Sequence, residues 1–398
     1  MPTPAFPAVR RAATFAVLAA SAAACWPAAA SAASAATPQL TPVTAAVLAP
    51  PRPVVATDGR RHVVYEVMLQ NADPVPLEVQ SLAVRVKGGR TLTTLSGAGL
   101  AATMTDSARR PATTLAPTGT GTVWVDIALR PGARVPRALV HRLRVAETLP
   151  GGGPRLTTFD GARTRVSPRP APAIAPPLRG GPYLNFNGCC AVGAHRTAIA
   201  SVDGTAYLSE RYAADFIRID EQGRGGAGDL SKNESFFTYG EPIHAVGDGR
   251  VVEILNSVAE NVPLNEPPAT AFTQKTIMGN YVILRLDTGQ YAAFMHIKTG
   301  SVRVRPGQRV RVGQVLGLVG NTGQSGGAHL HFQLSDGPDG LASDGVPFRF
   351  RAFTLMGGVT NIEQFLTGAA PADLHALPAA SARQGQMPLQ GTVVRFPR

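Results

Sequence analysis

Gly326-Gly327-Ala328-His329-Leu330-His331-Phe332-Gln333-Leu334 decides how this 398-residue chain is read. Successive side chains of a strand point to opposite sides, so alternation sets His329, His331 and Gln333 on one face and Leu330, Phe332 and Leu334 on the other. The apolar face belongs to a core. The polar face carries two imidazoles roughly 6 to 7 Å apart, given a rise of about 3.3 Å per residue. That spacing suits one metal ligand and one neighbour reaching toward the same reaction centre. The competing reading is a pair of solvated histidines on a half-exposed strand.

Working outward, Tyr291-Ala292-Ala293-Phe294-Met295-His296-Ile297 reads as a strand in which Phe294 and His296 share a face. Asn321 to Gly327 is a loop of small residues ahead of the histidine strand, read equally as a connecting turn or a substrate contact. Farther upstream, Arg211 to Ile219 (RYAADFIRI) predicts a strand with Asp215 set among apolar neighbours. A carboxylate there is costly unless it is hydrogen-bonded, paired with an arginine or bound to a metal. The residues alone leave arginine and metal open.

This block, from Tyr239-Gly240-Glu241 through GNYVILRLDTGQYAAFMHI and VRPGQRVRVGQVLG to the HLH strand, closely resembles the lysostaphin and LytM-type zinc metallopeptidases. These are bacterial enzymes that cut peptide bonds in peptidoglycan, and the resemblance covers about residues 195 to 350. It implies a zinc ion held by a His, by Asp215 and by His331, the second His of HxH. His296 and His329 are then the catalytic partners, moving a proton or stabilising the oxyanion formed on an amide carbonyl.

One departure matters. The family's first ligand stands four residues before the aspartate, where this chain has Arg211, and a guanidinium has no lone pair to offer. His195, twenty residues ahead of Asp215, is the replacement expected; zinc specifies distances and angles rather than chain order. Cys189 or Cys190 as thiolate ligand is the minor alternative. His244 is expected on an outward face and His375 in solvent. Arg211 also supports a rival of another class, a metal-free LytM domain that binds wall or activates a separate hydrolase. A lipoyl-like carrier, which PGQRVRVGQVLG also resembles, lacks the lysine such a turn requires.

The rest of the chain frames this block. Residues 1–36 have a basic, apolar, small-residue order (Arg10-Arg11, then Ala12 to Trp26, then Ala30-Ser31-Ala32) that reads as a secretory signal. Lipid attachment at Cys25 is the less favoured variant. The apolar run falls short of the about 20 residues a spanning helix needs, so the mature chain is expected to have no transmembrane span. With the signal gone, only the adjacent Cys189 and Cys190 remain. They are read as a strained vicinal bridge, as buried thiols or as metal donors, and no disulfide framework is available to hold the fold.

A net charge of +12 and a pI near 10.3 suit an anionic environment, and in an exported chain the expected partner is peptidoglycan or another anionic wall polymer rather than nucleic acid. The basic residues are dispersed, so the charge attracts without recognising.

Residues 37–165 alternate in short apolar segments (VVYEVMLQN, LEVQSLAVRV, GTVWVDIAL) separated by turns, which predicts a β-sandwich-like accessory domain. Its His62 and His141 are read as structural or solvated. A Pro-rich linker at 166–182, a peptidase domain at 183–366 and a tail at 367–398 complete an all-β expectation. The loops Glu221 to Glu234 and Asn256 to Thr276 are read as groove-shaping or disordered, and as the segments that set specificity.

Overall fold

Two antiparallel layers arise from the alternating segments at the N-terminal side. In the computed structural model, which describes residues 38–86 and 88–398, Arg61–Asn71 lies between Thr120–Leu129 on one side and Val43–Val47 and Arg52–Val55 on the other, with Met104–Asp106 at the far edge. The second layer orders Pro154–Arg165, Ala138–Thr148, Leu77–Val86 and Thr91–Ser96, with Thr114–Leu115 beside Leu77–Val86. Val63, Tyr65, Val67, Leu82, Val84, Val125, Leu143 and Val145 fill the space between them. Two such layers over one apolar core are sandwich packing.

Both sandwich histidines are structural. His141 is fully buried, its Nδ1 donating to the Ala162 carbonyl and its Nε2 accepting from the Tyr65 hydroxyl. His62 lies against Asp126 and Asp58. The expected signal and Cys25 lie outside the described residues, and no helix among the described residues is long and apolar enough to cross a membrane.

The C-terminal side is organised by one sheet, which has ten antiparallel strands among the described residues. Its order is Arg309–Val310, Gly249–Leu255, Asn280–Leu286, Tyr291–Ile297, Leu330–Ser335, Ala214–Arg218, Gly180–Asn185, Thr392–Phe396, Phe353–Gly358 and His375–Arg383. At its centre Asp215 pairs with His331, and His331 with Met295. The neighbouring pairs, Ala214 with Phe332 and Phe332 with Phe294, point to the opposite face. There Phe332 meets Phe294 and Phe348 at ring-centroid distances of 5.3 and 5.1 Å within the main apolar cluster; such aromatic pairs each add about 0.5–1.5 kcal/mol beyond area burial.

Alternation therefore separates a dry aromatic face from a polar one, as the HLH strand predicts. Thr41–Arg398, sandwich and sheet together, form one compact unit.

Two segments differ from expectation. Residues 166–182 are not a free linker: Val166, Ala171, Ile174 and Leu178 are buried, Ala173–Ile174 pairs with Arg349–Phe350, and Gly180–Asn185 is a central strand. Residues 367–398 are not a tail. Thr392–Phe396 lies between Gly180–Asn185 and Phe353–Gly358 with Val393, Val394 and Phe396 buried, and His375–Arg383 forms the sheet edge. Prolines in the first and alanines in the second hide apolar positions that tertiary pairing uses.

Candidate metal centre

Asp215 is buried, its strand flanked by the strands of His331 and of Asn185, and it takes up the polar face of the sheet. Its Oδ1 lies 3.1 Å from His331 Nδ1 and 3.6 Å from His329 Nε2, and its Oδ2 lies 3.1 Å from His195 Nε2. His195 and His331 meet edge to face at 4.6 Å. One ligand atom each from His195, Asp215 and His331 falls within 4.8 Å of the others, so three chain segments supply one donor set. His195 comes from a single helical turn, Ala194–Thr197, and not from a strand.

The second nitrogen of each ring is engaged, and that fixes which nitrogen faces inward. His195 Nδ1 donates to the Asn187 carbonyl at 2.8 Å, His296 Nδ1 to the Thr322 carbonyl at 2.7 Å, and His329 Nδ1 to the Gly327 carbonyl at 2.9 Å. A carbonyl can only accept, so those nitrogens carry the hydrogen, and in the neutral ring, the form that can bind a metal, each Nε2 keeps its lone pair. His331 is reversed. Its Nε2 donates to Gln333 Oε1 at 2.9 Å, because the Gln333 amide nitrogen is itself committed to the Gly340 carbonyl, and Nδ1 is left facing Asp215.

His296 reaches the cluster by breaking the alternation of its strand. Phe294 pairs with Phe332 on the dry face, so regular geometry would put His296 there too. Instead its φ of 59° turns the ring to the polar face, 4.7 Å from the ring of His329 and 5.8 Å from that of His331. Phe294 and His296 thus do not share a face, contrary to the sequence expectation. A non-glycine residue in the left-handed region costs of order 1–3 kcal/mol, and such residues cluster at functional sites.

The electrostatics favour positive charge beside Asp215. Burial alone would raise the carboxyl, but His195, His329 and His331 hold it well below the usual carboxylate range. Burial pushes the other way on His195, yet the Asp215 charge prevails and raises it to about 9. His296 and His329 are pushed down chiefly by burial, with the neighbouring imidazoles adding to it; His296 falls well below its ordinary value.

A divalent cation fits these residues on one further observation. Asp215 Oδ1 is fully buried and accepts no hydrogen bond, although two histidine nitrogens face it. A buried acceptor without a donor is rare in native proteins, and an ion would satisfy it.

Arg211 is elsewhere, bonded to Glu66 and Asp344. The Cys189 and Cys190 sulfurs are bonded to each other, so neither is a thiolate donor. His244, expected outward, is 7% exposed with Nδ1 donating to the Gly313 carbonyl; His375 is exposed beside Asp373.

Sequence reasoning missed Asn187, whose amide donates to Asp215 Oδ2 at 3.0 Å, and the orienting role of Gln333. Only Gln333 carried a signal, its place two residues after His331.

A buried carboxylate with three imidazoles against it and a fourth beside them, at the centre of an antiparallel sheet, defines a candidate hydrolytic metal centre. Residues 234–344 match the model of Peptidase family M23, in line with the LytM-type resemblance. The segment contains His296, His329 and His331; His195 and Asp215 precede it, in the part where Arg211 departs from the pattern.

Among curated relatives, the chain is 34% identical over 95 residues to peptidoglycan DD-endopeptidase ShyA of Vibrio cholerae, covering 24% of this chain and 17% of that protein. It is 31% identical over 116 residues to glycyl-glycine endopeptidase ALE-1 of Staphylococcus capitis, covering 28% of this chain and 27% of that one. The chain thus spans well under a third of the length of either relative. Among solved structures, the catalytic domain of lysostaphin from Staphylococcus simulans is similar at 20% identity, covering 42% of this chain and 86% of that chain with a TM-score of 0.22.

Proposed function

We propose that this chain is an exported zinc-dependent endopeptidase that hydrolyses amide bonds in peptidoglycan peptides. The observation that carries the reading is the donor set itself: His195, Asp215 and His331 converge from three segments, with an unsatisfied carboxylate oxygen among them. Those three residues would hold the ion. Zinc, when bound, supplies a Lewis acid that acidifies water and polarises an amide carbonyl.

The chain's own residues do the rest. His329 Nε2 and His296 Nε2 are held inward by carbonyls behind them, as neutral groups able to accept a proton from water or to pass one to the departing amine. Asn187 and Gln333 keep His195, Asp215 and His331 oriented. The dry aromatic layer behind the sheet keeps that arrangement stiff.

The substrate class is supported by the family match, by the likeness to a peptidoglycan DD-endopeptidase, and by the excess of positive charge. Export follows from residues 1–36.

Arg211 is the main support of the metal-free alternative; it serves Glu66 and Asp344 while His195 stands beside Asp215, which weighs for the metal reading.

The test is incubation of purified wall with the protein, with and without chelator, followed by mass analysis of released fragments. Release of muropeptide fragments that chelator abolishes supports the assignment. No release by the zinc-loaded protein overturns it.

A further inference from the structure

We propose that Glu66, in the N-terminal sandwich, is a positioning residue for the candidate metal centre: its carboxylate clamps Arg196 and Arg211, and so fixes the two segments that carry His195 and Asp215. Glu66 is fully buried, and both of its oxygens are used. Oε1 accepts from Arg196 Nε at 3.1 Å and Oε2 from Arg211 Nε at 2.8 Å. Arg196 spends its other donors on the carbonyls of Cys190, Tyr65 and Val125 at 3.1, 2.9 and 3.0 Å, with its guanidinium 5.9 Å from the Trp124 ring centroid. Arg211 also reaches Asp344 Oδ1 at 3.4 Å.

The placement of these partners is informative. Arg196 follows His195 directly, in a helix of four residues with no side-chain N-cap. One turn cannot hold itself in water, so the bonds of Arg196, with that of His195 to the Asn187 carbonyl, set where His195 points. Arg211 stands where the chain turns into the strand Ala214–Arg218, three residues before that strand and four before Asp215. One sandwich carboxylate thus governs the approach of two of the three donors.

Stability is a poor explanation for such a cluster, because replacing buried ionic triads by apolar groups is often neutral or stabilising. A demand for fixed orientation explains it better, and it gives the sandwich a role in the centre beyond wall contact.

The catalytic consequence rests on the metal reading above, so the test has one arm that needs no metal. Amide hydrogen exchange is followed in residues 193–198 and 208–213 of the full chain carrying Glu66→Gln, with Glu147→Gln as control. Glu147 is a buried sandwich carboxylate paired with Arg155. Metal-depleted forms of each are then titrated with cobalt and read by its visible absorption.

Glu66→Gln is expected to speed exchange in both segments about tenfold or more, since a buried charge loses its partner, and to weaken cobalt binding about tenfold or more, as lost orienting contacts do. Glu147→Gln is expected to do neither. Unchanged exchange in Glu66→Gln, or equal acceleration in Glu147→Gln, overturns the clamp. Accelerated exchange in a protein whose wild type takes up no cobalt supports the clamp and instead removes the metal reading. If Glu66→Gln does not fold, Arg211→Lys, which keeps the charge but loses the guanidinium fork, is read by the same two measurements and the same criteria.

Discussion

Replacing Gln333 by Met tests how the polar face of the histidine strand is held. Gln333 is fully buried; its Oε1 accepts from His331 Nε2 and its amide donates to the Gly340 carbonyl, both at 2.9 Å. Methionine fills a similar length and offers neither bond. Two buried polar groups then lack partners, at about 1–3 kcal/mol each, so folding stability should fall by roughly 2–6 kcal/mol. The effect on the ion is separate: with His331 no longer held from behind, zinc affinity should fall about 10–100-fold, which corresponds to roughly 1.4–2.7 kcal/mol.

Competition against a chromophoric chelator measures the affinity, and denaturant titration of the metal-depleted protein measures the stability. Gln333→Glu sharpens the comparison. A carboxylate still accepts from His331, so zinc affinity should recover while the Gly340 contact and the stability do not. A zinc affinity for Gln333→Met within about twofold of wild type would show that His331 is not a ligand oriented in this way.

Three further expectations follow. His329→Ala should lower fragment release from wall by about 10²–10⁴-fold, the usual worth of a proton-transfer group, while zinc content stays at the wild-type level; an unimpaired rate would remove His329 from the chemistry. Phe332→Ala opens the aromatic layer behind the site and should cost about 3–5 kcal/mol in denaturant unfolding, a loss below about 1 kcal/mol being incompatible with its place between Phe294 and Phe348. His141 is held by burial below its ordinary value of 6.5. The unfolded chain therefore binds a proton that the folded one refuses, and stability falls as pH drops through about 6.5. The unfolding free energy of wild type minus that of His141→Gln should decline over that range, and a flat difference would refute the assignment.

The histidine strand was legible because its period of two is local: Leu330, Phe332 and Leu334 go to the core and His331 and Gln333 to the site, as alternation requires. Asp215 was legible for the same reason, a lone carboxylate in an apolar strand. Only the resemblance puts His296 near the site, since its left-handed backbone defeats alternation and nothing nearby announces that turn. Arg211 was an anomaly in the sequence and became intelligible through Glu66, 145 residues earlier, a pairing that only the folded chain reveals. The strands Gly180–Asn185 and Thr392–Phe396 were hidden by their proline- and alanine-rich surroundings, and their hydrogen-bond partners lie far away in sequence. The sequence around His244 points it outward, but the burial of that short segment is decided by the strand Val315–Leu318.

Metal analysis of purified, folded wild type beside folded Asp215→Ala bears most directly on the claim that one carboxylate and two imidazoles share an ion. About one zinc per wild-type chain, and none in the variant, is the predicted result. A wild type that carries no zinc even after loading, or an Asp215→Ala protein that keeps it, would contradict the account.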